Sequence, residues 1–203
     1  MNILIIVAIG IALIVVFRTV RQLIPGFRTQ GRKFWLFYAG PENYLDENGE
    51  RNFEGVEVFW SCEAGTRKGD LILLYRKSIN QLTVNALVRR LQLTKEVAQD
   101  IKKRGVGKDI SAIWQAVSDS KRQFFWGWSY GCYIRQIRKL SPPLRLEELQ
   151  AVPELKRWKS LRWNFQATGR SALEIPPFAW EVLSDIIERK YGIKVNQQNS
   201  KVV

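Results

Sequence analysis

The sequence predicts an α+β domain: a small mixed sheet curled into a barrel, with peripheral helices, an inserted helical pair and a transmembrane helix at the N-terminus. Three observations carry that expectation. Short alternating or wholly apolar runs recur at 33–39, 56–60, 70–75, 110–117 and 131–140, the pattern of strands. Residues 79–109 switch to helical spacing between the third and fourth of these runs. The first 17 residues, MNILIIVAIGIALIVVF, carry no charge.

The opening stretch has the minimum length for a helix that crosses a bilayer core, roughly 17–25 residues. It has neither the basic start nor the small-x-small cleavage site of a signal peptide, and no polar face at helical period. Arg18, Arg21, Arg28, Arg32 and Lys33 follow it with no anion among them. That bias predicts a single-pass membrane protein with its C-terminal domain in the cytoplasm. The same cations are suited to anionic lipid headgroups. The expected organisation is an anchor at 1–23, a basic juxtamembrane linker at 24–32, a domain at 33–190 and a polar tail at 191–203.

Within the domain, KFWLFYA (33–39) reads as a first strand, stopped at Gly40-Pro41. The run at 70–75, DLILLY, is almost entirely apolar and is expected at the sheet centre. In the insertion, Thr94 is placed to cap a helix and Gly105 to end it after Lys102, Lys103 and Arg104. LEEL (146–149) begins a short helix. PPFAWEVLSDIIERK (176–190) has prolines at its start and an amphipathic period.

Composition narrows the chemistry. The chain has 203 residues, 46% of them hydrophobic, with eight tryptophans, enough for one well-packed core. Its formal net charge of +13 favours polyanionic partners, nucleic acid or anionic lipid. It contains no histidine, which removes His-based triads and the commonest zinc ligand. Cys62 and Cys132, the only cysteines, form no CxxC pattern and imply neither a metal site nor a disulfide framework. No phosphate-cradling or nucleophile-elbow motif appears, so no cofactor, no metal and no catalytic residue is expected.

Two stretches stand out. FFWGWSYG (124–131) packs five aromatics into seven residues, too dense for one strand face. Each ring alone is as well explained by core packing. With Lys121 and Arg122 beside them, a stacking platform for bases competes with that explanation, each stacked base gaining about 1–3 kcal/mol. The second stretch, VFWSC (58–62), sets Trp60 beside the small polar Ser61 and Cys62, ahead of a basic loop carrying Arg67 and Lys68. A flipped base needs a flat apolar wall and polar neighbours for its edge. Arg67, Lys68, Lys121 and Arg122 are the candidate phosphate or lipid contacts.

The order of motifs resembles that of EVE domains. KFWLFYAGPENY is similar to their opening strand and loop, GDLILLYRKS to their GD-strand, and ISAIWQAVSD to the strand after it. YGCYIRQIRKLSPPLRLEELQAVPEL and WNFQATGRSALEIPPFAWEVLSDII resemble their late strand and closing helix. The resemblance covers about residues 33–190, apart from the insertion. It implies a PUA-like barrel related to YTH domains and the binding of modified bases in DNA or RNA. VFWSC resembles the aromatic-cage motif of YTH domains with Ser and Cys exchanged. It implies that Trp60 forms one cage wall and Trp126 or Trp128 another, with Asn43 and Tyr44 reading the base edge or forming a lid. Gly40-Pro41-Glu42 departs from the family's Ser-Glu-Pro.

The leading functional expectation is therefore a membrane-tethered, non-catalytic reader of modified bases. The alternative is a membrane-associated scaffold whose basic patch contacts lipid and whose barrel meets a protein partner. A nuclease using Glu154 and Lys156 is a third reading, set aside because no strand-borne aspartate precedes that pair.

Overall fold

A computed structural model describes residues 31–79, 82–123, 129–165 and 171–195. The chain divides into two compact units, Met1–Gly31 and Arg32–Val203, and every described helix and strand lies in the second. The membrane expectations need correction. No described helix is long and apolar enough to cross a membrane. The longest, Pro177–Tyr191, has 15 residues, about 22 Å at 1.5 Å per residue, and carries Glu181, Asp185, Glu188, Arg189 and Lys190. The stretch 1–23 expected to span the bilayer lies outside the described residues. A transmembrane helix is therefore no part of the fold described, and the single-pass localisation with a cytoplasmic domain is withdrawn with it.

Among the described residues nine strands form: β1 (Phe34–Ala39), β2 (Leu45–Asp46), β3 (Gly49–Glu50), β4 (Glu57–Cys62), β5 (Leu71–Arg76), β6 (Asp109–Ala116), β7 (Lys121–Arg122), β8 (Tyr130–Arg145) and β9 (Ala172–Glu174). The main sheet runs β4-β8-β6-β5-β1-β9, with β7 beside β8 and β2-β3 as a separate ribbon. It curls without closing, because β4 and β9 at its two ends do not pair with each other among the described residues. Among the described strand pairs only β1–β5 is parallel, with Leu36 opposite Leu73. Every residue of β5 is buried, as its apolar run predicts for a central strand.

Alternation along β1 and β5 divides the core. Leu36, Tyr38, Leu71, Leu73 and Tyr75 face one side, where Trp180, Leu183 and Ile187 of the last helix cover them. Phe34 stacks on Trp180 with ring centroids 4.0 Å apart. Trp35, Phe37, Ile72 and Leu74 face the other side and pack with Trp114 and with Leu87, Ala98 and Ile101 of the insertion. The inserted helices Val84–Leu91 and Lys95–Arg104 thus complete one face of the core. The oxygens of Thr83 and Thr94 each accept a backbone N–H at their starts. Gly105 ends the second helix with φ 62°, a left-handed conformation that glycine adopts without a Cβ penalty.

β8 runs five residues past the predicted stop at Leu140 and through Pro142-Pro143. Its register against β6 jumps from Ala112↔Lys139 to Ile110↔Leu144. The prolines sit in that irregularity, where the ladder asks for no N–H. Next come a short helix at Leu146–Gln150 and a 3-10 turn at Pro153–Arg157. That turn holds Glu154 and Lys156 on a surface segment.

Where β5 ends and β6 begins, Arg76 meets Asp109 through two hydrogen bonds of 2.6 and 2.8 Å. Arg76 is 3% exposed and Asp109 fully buried. Glu50 of β3 adds a third contact to Arg76 at 2.5 Å and holds Arg104 of the insertion at 2.8 Å. Removing one member of a buried pair strands the other charge in a poor solvent. Asp109→Ala is expected to cost about 3–5 kcal/mol, read as a fall in the urea midpoint at constant slope. A loss under 1 kcal/mol would show that Glu50 alone satisfies Arg76.

Candidate functional site

β4 is an edge strand in the described sheet, paired only with β8. Half of an edge strand's backbone donors and acceptors therefore have no ladder partner. Its side chains alternate: Val58, Trp60 and Cys62 turn toward the core, while Glu57, Phe59 and Ser61 are exposed. Phe59, 48% exposed, meets Tyr133 across the ladder edge to face at 5.3 Å. Its ring also covers Gly131, where a Cβ would come within 2.1 Å of the ring. Glycine there is what lets the phenyl ring lie on the strand.

Trp60 is half-buried. Its ring lies 6.4 Å from that of Trp114, tilted by 44°. Phe53, from the loop before β4, meets the same Trp114 edge to face at 5.2 Å. Trp114 is fully buried and so acts as a post against which two less buried rings rest. Beside them opens a cleft of about 540 Å³, within the range of about 300–1,000 Å³ typical of small-molecule sites. Phe53, Phe59 and Trp60 form its aromatic wall. Asn43, Ser61 and Tyr38 bring polar groups, and Arg51 and Lys77 bring positive charge. Among the described residues no carboxylate or thiol lines it.

The ion-pair network holds this rim. Arg51 follows Glu50 directly, and its Nε donates to the Leu45 carbonyl at 2.9 Å. Lys77 follows Arg76, and its ammonium sits 5.7 Å from the centroid of Tyr38. Gly107 (φ 98°) closes against the Lys77 carbonyl, where a Cβ would lie only 2.6 Å away. Burial works to lower the pKa of Arg76, but hydrogen bonding to Asp109 and the charges of Asp109 and Glu50 raise it overall. Burial likewise works to raise Glu50, and the charge and hydrogen bonds of Arg76 and Arg104 outweigh it, leaving Glu50 below its ordinary value.

The structure brings Asn43, Trp60 and Ser61 to the cleft. It puts others elsewhere. Tyr44, 3% exposed, donates its hydroxyl to the Lys77 carbonyl at 2.9 Å and supports the rim from beneath. Burial pushes its pKa up. Cys62, 2% exposed, lies in the core beside Cys132. Hydrogen bonding between the two thiols lowers the first and, with burial, raises the second. Arg67 and Lys68 lie on the loop after β4, where the Arg67 side chain and the Lys68 backbone N–H both engage Asp119. Lys121 and Arg122 form β7. None of these four cations lines the cleft. Trp126 and Trp128 lie outside the described residues. Sequence reasoning missed Phe53, Arg51 and Lys77; the lone aromatic in the polar stretch RNFEG was the available signal. Among the described residues no cluster of His, Cys, Asp or Glu could hold a metal ion.

No protein-family model matches the chain, and no curated protein matches its sequence significantly. Solved structures do resemble it. The human THYN1 protein, in complex with 5-methylcytosine-containing DNA, is 11% identical, with a TM-score of 0.46, covering 77% of this chain and 98% of that one. A hypothetical protein from Leishmania major is 12% identical at a TM-score of 0.48, covering 80% and 98%. Rpa0253 from Rhodopseudomonas palustris is 13% identical at 0.47, covering 74% and 89%.

Glu50 gives this region a pH signature. Its pKa is lowered from 4.5 in the fold, so the unfolded chain binds more protons and stability rises with pH through that window. The contribution is complete above the ordinary value and is lost as pH falls through the lowered one. Melting temperatures followed from pH 6 to pH 3 are expected to drop less steeply for Glu50→Gln than for the wild type; parallel acid limbs would remove Glu50 from the account.

Proposed function

We propose that this chain is a non-catalytic, EVE-type nucleic-acid-binding module that seats one modified base in the cleft at the β4 edge. The observation that carries the reading is the cleft's composition: an aromatic wall of Trp60, Phe53 and Phe59, amide and hydroxyl groups on Asn43 and Ser61, and two cations with no carboxylate. A base taken out of its stack loses aromatic contact and keeps hydrogen-bonding edges. Trp60 and Phe53 replace the first. Asn43, Ser61 and the free backbone edge of β4 meet the second. Arg51 and Lys77 attract the adjoining phosphates, a sequence-independent and salt-dependent contribution. The human THYN1 structure, with its methylated DNA, makes 5-methylcytosine a sensible first probe, though the reading stands on the cleft itself. A lining without a carboxylate or thiol also suits binding better than catalysis.

Titration of the full chain with oligonucleotides carrying 5-methylcytosine, N6-methyladenine or no modification tests this. Trp60→Ala is expected to remove the preference for the modified base, a loss of about 1–3 kcal/mol or 5- to 150-fold, while salt-dependent background binding persists. Because Trp60 rests on the core, Phe59→Ala at an exposed position serves as a second variant, expected to weaken the preference without lowering the melting temperature. Equal weakening toward modified and unmodified strands in both variants would refute the cage.

A further inference from the structure

A second and larger depression, about 800 Å³, lies between the late part of β8 and the end of the last helix. Arg138, Lys139 and Ser141 form one wall, and Lys190, Gly192 and Lys194 stand opposite. Lys190 is paired with Glu148. Arg138, Lys139 and Lys194 have no carboxylate partner among the described residues, so three positive charges converge on one groove without compensation. Such a concentration raises the local density of anions.

This groove connects to the base cleft through shared residues. A small depression of about 30 Å³ lies between them. It shares Arg51 and Phe53 with the cleft and Lys139 with the groove. Gln136 and the paired Glu50 and Arg76 line it too, as does Trp114, whose buried Nε1–H has no partner among the described residues. A depression of that size admits about one water and no base. It can be crossed by a sugar-phosphate backbone whose bases point outward. Seven residues of β8 separate Cys132, opposite Trp60 in the ladder, from Lys139. At about 3.3 Å per residue this is about 23 Å, the length that stacked DNA covers in about seven nucleotides at 3.4 Å each.

We propose that the Arg138–Lys139–Lys194 groove is a phosphate-binding site for the flank of a single nucleic-acid strand whose base occupies the β4 cleft. The direction of the strand is then set by β8, and binding strength depends on ligand length. The proposal rests on the base-binding reading for its starting point, but its test is separable.

The full chain is titrated with three- and ten-nucleotide oligothymidylates at 50–200 mM salt. The triple variant Arg138→Glu/Lys139→Glu/Lys194→Glu is expected to bind the ten-nucleotide strand at least tenfold more weakly. Its log–log salt slope should shrink by about 2, at about 0.7 per lost single-strand phosphate contact. Binding of the three-nucleotide strand should change less than twofold. Unchanged affinity for the longer strand, in a variant whose melting temperature is intact, overturns the groove site and leaves the base cleft standing. A length-selective loss in the triple variant, with modified-base preference unaffected by Trp60→Ala, supports the groove and removes the cleft. Equal loss for both lengths overturns the proposed path. So does retention on phosphatidylserine vesicles without any strand binding.

Discussion

The paired charges of Arg76 and Asp109 hold the working parts of this domain in place. They lie where the central strand β5 leaves the sheet and β6 enters it, with almost no solvent to share the cost of desolvation. Two parallel hydrogen bonds match the guanidinium fork to the carboxylate, the geometry in which such a pair is strongest. Three charged neighbours are fastened to this pair, directly or through Glu50. Glu50 brings in the β2–β3 ribbon, Arg104 the insertion, and Arg145 the end of β8 through Asp109 and the Gly105 carbonyl. Three segments distant in sequence thus converge on one buried ion pair.

The aromatic cleft inherits its shape from that convergence. Arg51 and Lys77 are the immediate chain neighbours of Glu50 and Arg76, so their backbone positions follow from where that network places those two residues. Trp114 fixes the opposite side by packing, as a fully buried ring in the middle of β6. Phe53 and Trp60 lean on it from two different segments. The result is a packed aromatic floor with a rim tied to the ion-pair network, an arrangement in which supporting contacts set the geometry of the site.

Much of the secondary structure was legible because it depends on local rules. The alternation in β1, the apolar run of β5, the Thr94 cap and the Gly105 stop are all set by residues within a few positions of one another. The extent of β8 was not legible, since Pro142-Pro143 reads as a break unless the register jump against β6 is known. The cleft was half legible. VFWSC marked Trp60 and Ser61, because a tryptophan beside small polar groups is conspicuous in a line of text. Phe53 and Lys77 gave no comparable signal; only folding carries them to the same opening. Tyr44 looked like a loop residue able to close over a ligand, yet its hydroxyl is committed to the Lys77 carbonyl. The hydrophobic opening stretch read as a bilayer anchor, and the described helices contain nothing of that kind.

One detail of the sheet order bears on how the chain is made. β1 is flanked by β5 on one side and by β9 on the other, and β9 is the last of the described strands, at Ala172–Glu174. While a ribosome is still adding the intervening residues, one row of β1 amides stands open to any extended segment it meets. Shielding that row must wait until Ala172–Glu174 has been made, and until then the nascent domain carries an adhesive margin that β9 later conceals.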